Sequence, residues 1–591
     1  MLKTEEIKLS AVLFLLIFCG QAFAANLYVD PNPAGHADAT WSGVNGESYT
    51  STALGFPGTG AGYHTIKAAL SAHFAGDHIY IRGGTYQEGH IRIPYDHDGS
   101  NWTDDFNLIA SFPGEWAVID GQNGGGTGGD NGIVVGGNSN SQGAIGFAVA
   151  DSSNTYRMAY WKFERLEIMN GASADGQNAA GIRMHIGPVW VRYCYIHDNL
   201  ASNSNNPGGV RIEQPQDCLI EYNYFKDNGA LTDIGHNCAH INIFSDYIPN
   251  DIAQNGFTDP ANRPALARNE IRYNYFSGGV VGVKYKQDQF FSGRETFSDS
   301  YRTYGDKVHH NIFIGQARAG IIARQDFIQI YNNITDSTSI DIGELDTRSI
   351  YKAVTYNNTL YEPAAGEVSN LFRVHRFWND YNLPNQDTTY YGYDYNNLIY
   401  GAIDHYNTSD FGVDVAGTWA EANLDGYFGT HNYSYLPGAI TTEVFRNLTT
   451  NLTVAQFEAA FSGARHFLNT SEGNPPAFVS SAGADKYKVN GSHVVETGTT
   501  LENGGVGGRH PYLSAVALPS YIGAVNPSDS DWVDGVLTNL ASTTWLRSTT
   551  IERDVNDDPT WLEADPDPAP DLQGSENSSS GGCFVSSVMI L

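Results

Sequence analysis

A column of cations and a column of carboxylates recur at fixed offsets from a set of short apolar strands. The strands are Ile182-Arg183-Met184-His185, Val210-Arg211-Ile212-Glu213, Ile241-Asn242-Ile243-Phe244, Val283-Lys284-Tyr285-Lys286, Ile321-Ile322-Ala323-Arg324 and Ile340-Asp341-Ile342-Gly343. Period-two alternation turns their first and third residues inward and their second and fourth outward. The fourth position then reads His185, Glu213, Phe244, Lys286, Arg324, and the second reads Arg183, Arg211, Asn242, Lys284, Ile322, Asp341. The whole chain has 65 acidic against 33 basic residues, a formal net charge of -32. A local reversal of sign on one face predicts an electropositive groove for an anionic polymer such as a uronic-acid glycan. A slip of one residue would bury these groups. For Lys286 and Arg324 the plainer reading is that they are solvated ladder residues paired with nearby aspartates.

The sixth positions supply Asp246, Asp288 and Asp326. Carboxylates on adjacent coils of a stacked structure stand about 5 Å apart, and two coils apart about 10 Å. Those separations bracket the geometries of retaining and inverting glycosidases, and the same oxygens suit a calcium ion. They also suit turn caps after each strand. Of the histidines nearby, His236, His240 and His310, we expect His240 to precede a strand directly and to serve as an extra acid/base or charge neutraliser, or as a hydrogen-bonded structural residue. Two insertions, near 246–268 and 288–306, carry Tyr247, Phe290, Phe291, Tyr301 and Tyr304, whose rings can stack on sugars or pin the loops. Arg183, Arg211, His185, Glu213, Asn242, Tyr247 and Tyr301 form the expected substrate-binding set.

The elements that must position these residues repeat. An aliphatic residue, two further residues, an Asn and an apolar pair recur at Ile220–Phe225, Ile271–Phe276, Val308–Phe313, Ile330–Ile334 and from Val354 to Asn357. Val191–Ile196 fits with Cys194 in the Asn place. The shortest interval, from Asn311 to Asn333, is one bare coil, and longer ones are coils with inserted loops. An Asn on the same turn of successive coils can bond the amide of the next coil and satisfy turn backbone, so these Asn are assigned structure and no chemistry. The prediction is an all-β, right-handed, single-stranded parallel β-helix with a short N-terminal capping helix and long loop insertions.

Residues 1–24 read as a signal peptide: Lys3 and Lys8, an apolar run from Ala11 to Cys19, and Ala22-Phe23-Ala24 before a mature start at Ala25. The solenoid is expected over 25–525, closed by Ser520–Val525, with an extension over 526–563 and a linker and tail over 564–591. Beyond residue 400 the strands show no clean register. The mature chain keeps Cys194, Cys218, Cys238 and Cys583, which make neither a disulfide scaffold nor a zinc site. The acidic balance excludes nucleic acid and anionic membrane surfaces as partners, and no segment beyond the signal is long enough to span a bilayer. The chain is expected to be secreted and monomeric.

The stretch Ala75-Gly76-Asp77-His78-Ile79-Tyr80-Ile81-Arg82-Gly83-Gly84-Thr85-Tyr86, after the helix beginning at Tyr63–Leu70, resembles the cap and first coil of secreted right-handed β-helix proteins of the pectin-lyase-like superfamily. That group is rich in polysaccharide lyases and glycosidases. Lys286 and Arg324, at one position on successive coils, resemble the alginate lyase and chondroitinase B family. The resemblance implies β-elimination on an acidic glycan, with Lys286 as base and Arg324 as acid or charge neutraliser. Lys284 competes for the base role. A Lys flanked by Arg324, Lys284 and Arg211 would have its pKa lowered, as a base requires. That family places calcium carboxylates on the strand before the Lys; here none precedes Lys284, and Glu213 lies two coils earlier. The tail Gly581-Gly582-Cys583 resembles those of some bacterial exported proteins, implying surface anchoring, or is a floppy end. A β-helix glycoside hydrolase using the aspartates and a non-catalytic glycan-binding or cell-surface protein are the alternative readings.

Overall fold

The computed structural model describes residues 25–52, 58–89, 91–93, 106–121, 131–135, 160–171, 180–184, 189–200, 207–213, 218–229, 238–244, 269–286, 306–323, 325, 328–342, 354–361, 372–374, 392–400, 406–407, 427–430, 433–435, 445–447, 450–452, 467–468, 471–472, 478, 484–487, 524–525, 531–541 and 543–547. Residues 1–24, read as a signal peptide, and 564–591, read as a linker and tail, lie outside them.

Successive coils each add one strand to three parallel sheets, and the described strands make one sheet of 16 and two of 12. One coil runs Leu219–Glu221 in the first sheet, Tyr224–Lys226 in the second and Ala239–Phe244 in the third. This is a right-handed parallel β-helix, as expected. Inward residues of all three sheets stack into one apolar column that includes Val191, Ile220, Ile271, Val308, Phe225, Phe276, Phe313, Ile241 and Val283. The stacked rings of Phe225, Phe276 and Phe313 lie 4.9 and 4.6 Å apart. At one coil every ~4.8 Å, like side chains meet like.

The tight corner between the first and second sheets explains the Asn repeat. Tyr222, Tyr273, His310, Asn332, Asn357 and Asn396 each have φ between 51° and 54°. The next residue is the ladder Asn. Asn223 donates its backbone N–H and its Nδ2–H to Asn274 Oδ1, both at 3.0 Å. The same pair of bonds runs from Asn274 to Asn311, Asn311 to Asn333, Asn333 to Asn358 and Asn358 to Asn397. Cys194 heads the ladder, donating its N–H to Asn223 Oδ1. One assignment shifts. Asn357, read from the sequence as the ladder residue, takes the left-handed place and Asn358 bonds instead. The reason is that Thr355, not Val354, stands beside Ile330 in the first sheet.

The N-terminal end is closed by the helix Ile66–Ala72, which starts three residues later than the sequence suggests because Tyr63 ends a strand. Thr65 caps it, accepting the Ala68 N–H, and Ile66, Ala69 and Leu70 are buried. An antiparallel hairpin, Ser48–Ser51 against Gly58–Tyr63, extends the first sheet beyond Asn26–Val29. Coils continue past residue 400 through Tyr427–Thr430 to Ser471–Glu472.

Ala524 and Val525, expected in a closing strand, form a bend instead. From there an arm lies back over the second sheet. Ala524 donates its N–H to Thr359 Oγ1 at 2.8 Å. Val533, Val536, Leu540 and Leu546 are buried in one cluster with Tyr193, Tyr222, Tyr273, Ile312 and Ile334. Arg547 pairs with Glu167. Residues 526–563, read as an extension, therefore include an element packed along the body.

Candidate functional site

The outer face of the third sheet carries the predicted cations, and its register is the one read from the sequence. Ile182, Val210, Ile241, Val283, Ile321 and Ile340 are aligned partners in successive strands. So are Arg183, Arg211, Asn242, Lys284, Ile322 and Asp341. In the fourth position Glu213, Phe244 and Lys286 are aligned. Lys286 ends its strand, Val281–Lys286.

The column is not open to solvent as a groove wall would be. Arg183 is 6% exposed, Arg211 7%, Asn242 1%, Lys284 1% and Asp341 1%. Asn242 donates to Pro207 O at 2.9 Å, and the Arg211 guanidinium lies 4.3 Å over the Phe244 ring. Ser339 donates to Asp341 Oδ1 at 2.9 Å. Lys284 in particular has the setting of an interior ammonium.

His240 falls within the strand Ala239–Phe244, not before it. It is fully buried, and both ring nitrogens are engaged. Asn228 Nδ2–H donates to His240 Nδ1 at 3.0 Å, and the Nε2 side meets Gly278 O at 2.9 Å, so the proton sits on Nε2. Burial pushes its pKa down to about 4. This corrects the acid/base reading: the ring fills a gap in a second ladder, at the corner between the second and third sheets. There Asn199 donates to Asn228 Oδ1 at 2.8 Å. The next ladder place is Gly279, which has no side chain to offer.

A third ladder precedes the first sheet. Cys218 N–H donates to Asn269 Oδ1, and Asn269 N–H donates to Asp306 Oδ1, both at 3.0 Å. Asp306 is fully buried, and desolvation pushes its pKa up to about 8. Sequence patterning missed it because an Asp before a strand reads as a loop residue.

The other expected site residues, His185, Tyr247, Tyr301, Arg324, Asp246, Asp288 and Asp326, lie outside the described residues, as do His236, Phe290, Phe291 and Tyr304 and the side chains of Glu213 and Lys286. Among the described residues no group of three or more His, Cys, Asp or Glu side chains can hold a metal ion. The described third-sheet column offers one carboxylate, Asp341, among two guanidiniums and an ammonium. The carboxylates expected to suit calcium, Asp246, Asp288 and Asp326, lie outside the described residues. No helix among the described residues is long and apolar enough to cross a membrane. Cys194, Cys218 and Cys238 are free and buried.

No protein-family model matches the chain, and no curated protein matches it in sequence. Solved structures that superpose on it include XylC in complex with xylose, at 10% identity and a TM-score of 0.40, covering 78% of this chain and 88% of that one. The PL6 family alginate lyase AlyGC superposes at 11% identity and 0.40, covering 70% of this chain and 53% of that one. The pectate lyase Pel9A does so at 13% and 0.37, covering 85% and 98%.

Proposed function

We propose that the protein is a secreted polysaccharide-degrading enzyme, a lyase that cleaves an acidic, uronic-acid-containing glycan by β-elimination. One observation carries the reading. Arg183 and Arg211 are aligned partners on adjacent third-sheet strands, and the column adds Lys284 two strands on, with no carboxylate position among them. A row of cationic positions on one face of an otherwise acidic chain is a setting that draws an anionic polymer.

In this reading Arg183, Arg211 and Lys284 form a buried electrostatic floor and Lys286, at the strand end, is the base. The neutral Lys286 amine takes the proton beside the uronate carboxylate. The electron pair forms the new double bond and the glycosidic oxygen departs with a proton. Arg324 neutralises the carboxylate or assists the leaving oxygen. No step runs through calcium.

The test is to incubate the mature protein with a panel of acidic polysaccharides and follow the ultraviolet absorbance of the unsaturated uronate. A rise that Lys286→Ala abolishes supports the reading. New reducing ends without that absorbance would turn attention to Asp246, Asp288 and Asp326 as hydrolytic acids. A second reading, a non-catalytic glycan-binding protein, is favoured by the burial of the cation column, and binding without either product would support it.

A further inference from the structure

The arm that lies over the second sheet sits on a buried imidazole pair that no catalytic reading uses. Following aligned partners, six coil steps separate Thr359 from Glu167, about 29 Å at the usual strand spacing. Ala524 bonds Thr359 at one end of that distance, and Arg547 pairs with Glu167 at the other. Two coil steps from Thr359, Trp532 meets the His310 ring edge-on, with centroids 5.1 Å apart and planes at 84°. On its other side His310 stacks on Tyr273 at 4.9 Å.

Beneath Trp532 the hydrogen bonds form one chain. Asn332 Nδ2–H donates to His310 Nε2 at 3.1 Å. His310 must then carry its proton on Nδ1, which meets His309 Nδ1 at 2.7 Å. His309 in turn donates Nε2–H to Glu270 Oε1 at 2.8 Å. Every ring nitrogen is used while both imidazoles are neutral. A further proton on His310 Nε2 would face the Asn332 N–H. Turning that amide over would present Asn332 Oδ1, which has no partner, but the cation would stay buried.

We propose that the arm made of residues 531–541 and 543–547 is a strap that acidification releases from the solenoid, with the His309–His310 pair under Trp532 as its trigger. Burial is the largest influence holding His310 neutral, its pKa well below the usual imidazole range, and His309 and Arg272 add to it while Glu270 opposes. The groups facing the pair are Glu270, Arg272 and Tyr273 from the preceding coil, Lys307 on its own strand, Tyr331 and Asn332 from the next coil, and Trp532 from the arm; Asp534 on the arm is exposed. The depressed value makes the sign definite. Neutral His310 stabilises the docked state fully above the unfolded imidazole pKa of about 6.5. That contribution is lost as pH falls toward the folded value. Lifting the arm hydrates the cation without unwinding the coils.

The experiment is amide hydrogen exchange of the full chain, read by mass spectrometry on peptides covering 524–547 and corrected for the intrinsic rate. Between neutral and mildly acidic pH the corrected exchange should rise at least about tenfold, while first-sheet peptides stay protected. His310→Asn should remove the rise, since Asn332, Asn357 and Asn396 already occupy the same left-handed place in later coils. A flat wild-type profile, or an equal rise in His310→Asn, overturns the proposal. If the variant does not dock its arm at neutral pH, exchange at the imidazole C2 carbons of the wild-type chain decides. A release midpoint more than about one pH unit from the His310 titration sinks the trigger.

Discussion

Gly279 leaves the space that the His240 ring occupies: a Cβ on Gly279 would stand 2.8 Å from His240 Nε2. Elsewhere along this corner the sizes are reversed. A Cβ on Gly181 would stand 2.9 Å from Asn199 Nδ2, and one on Gly209 3.0 Å from Asn228 Nδ2. Small strand residue with large ladder residue becomes, in one coil, large strand residue with none.

That exchange predicts coupling. His240→Gly leaves a cavity and strips Asn228 of an acceptor, and should cost about 2–4 kcal/mol. Gly279→Asn forces a side chain into the ring at a φ of +70° and should cost a similar amount. The double variant restores the arrangement of the neighbouring coils and should be more stable than the sum of the single changes by over about 1 kcal/mol. Urea denaturation of the four proteins measures it. Simple additivity would mean the two sites are independent.

The ladder shift at the Asn357-Asn358 corner separates two adjacent residues of one type. Asn358→Ala removes the acceptor for two Asn333 N–H groups and one donor to Asn397, and should cost about 3 kcal/mol. Asn357→Gly, at a φ of 51°, should change stability by less than about 1 kcal/mol, because glycine accepts that conformation. Thermal unfolding of the pair checks the register directly, and the reverse ranking would restore Asn357 to the ladder.

Asp306 predicts a slope of stability against pH. Its folded pKa, about 8, lies above the usual carboxylate value. A raised value means the protonated acid stabilises the fold fully below about pH 4, and the contribution is lost as pH rises to about 8. The slope cannot exceed about 1.4 kcal/mol per pH unit for one proton. Asp306→Asn keeps an acceptor for Asn269 and should flatten that slope, making the variant the more stable protein at the alkaline end. Denaturation midpoints across this range, with equal slopes in both proteins, would show that another group is responsible.

Lys284 and Lys286 should separate cleanly under mutation. Lys284, 1% exposed, is part of the folded interior, so Lys284→Ala should lower the melting temperature along with any activity. Lys286→Ala should abolish the proposed elimination, and as the base of that reading it should move the melting temperature by less than about 2 °C. Activity retained in Lys286→Ala would remove it as the base.

The sequence alone determined the winding and most of the third-sheet register. Six strands alternate apolar and polar residues with a period of two, and a parallel stack admits only one register that keeps Ile182, Val210, Ile241, Val283, Ile321 and Ile340 inside. The Asn ladder was legible for a related reason: the left-handed corner and the amide bond repeat at every coil, so the signal accumulates. It failed at Asn357, where two Asn stand side by side and only the strand pairing of Thr355 chooses between them. Three things were decided by tertiary structure. The outward column became buried, and its contacts, such as Arg211 against Phe244 and Asn242 with Pro207 O, join neighbouring coils that alternation within one strand does not specify. His240 became a ladder substitute, because the vacancy it fills is left by Gly279 in the next coil. The arm returned over six coils, because its contacts are single residues spaced across the solenoid and leave no periodic trace in its own sequence.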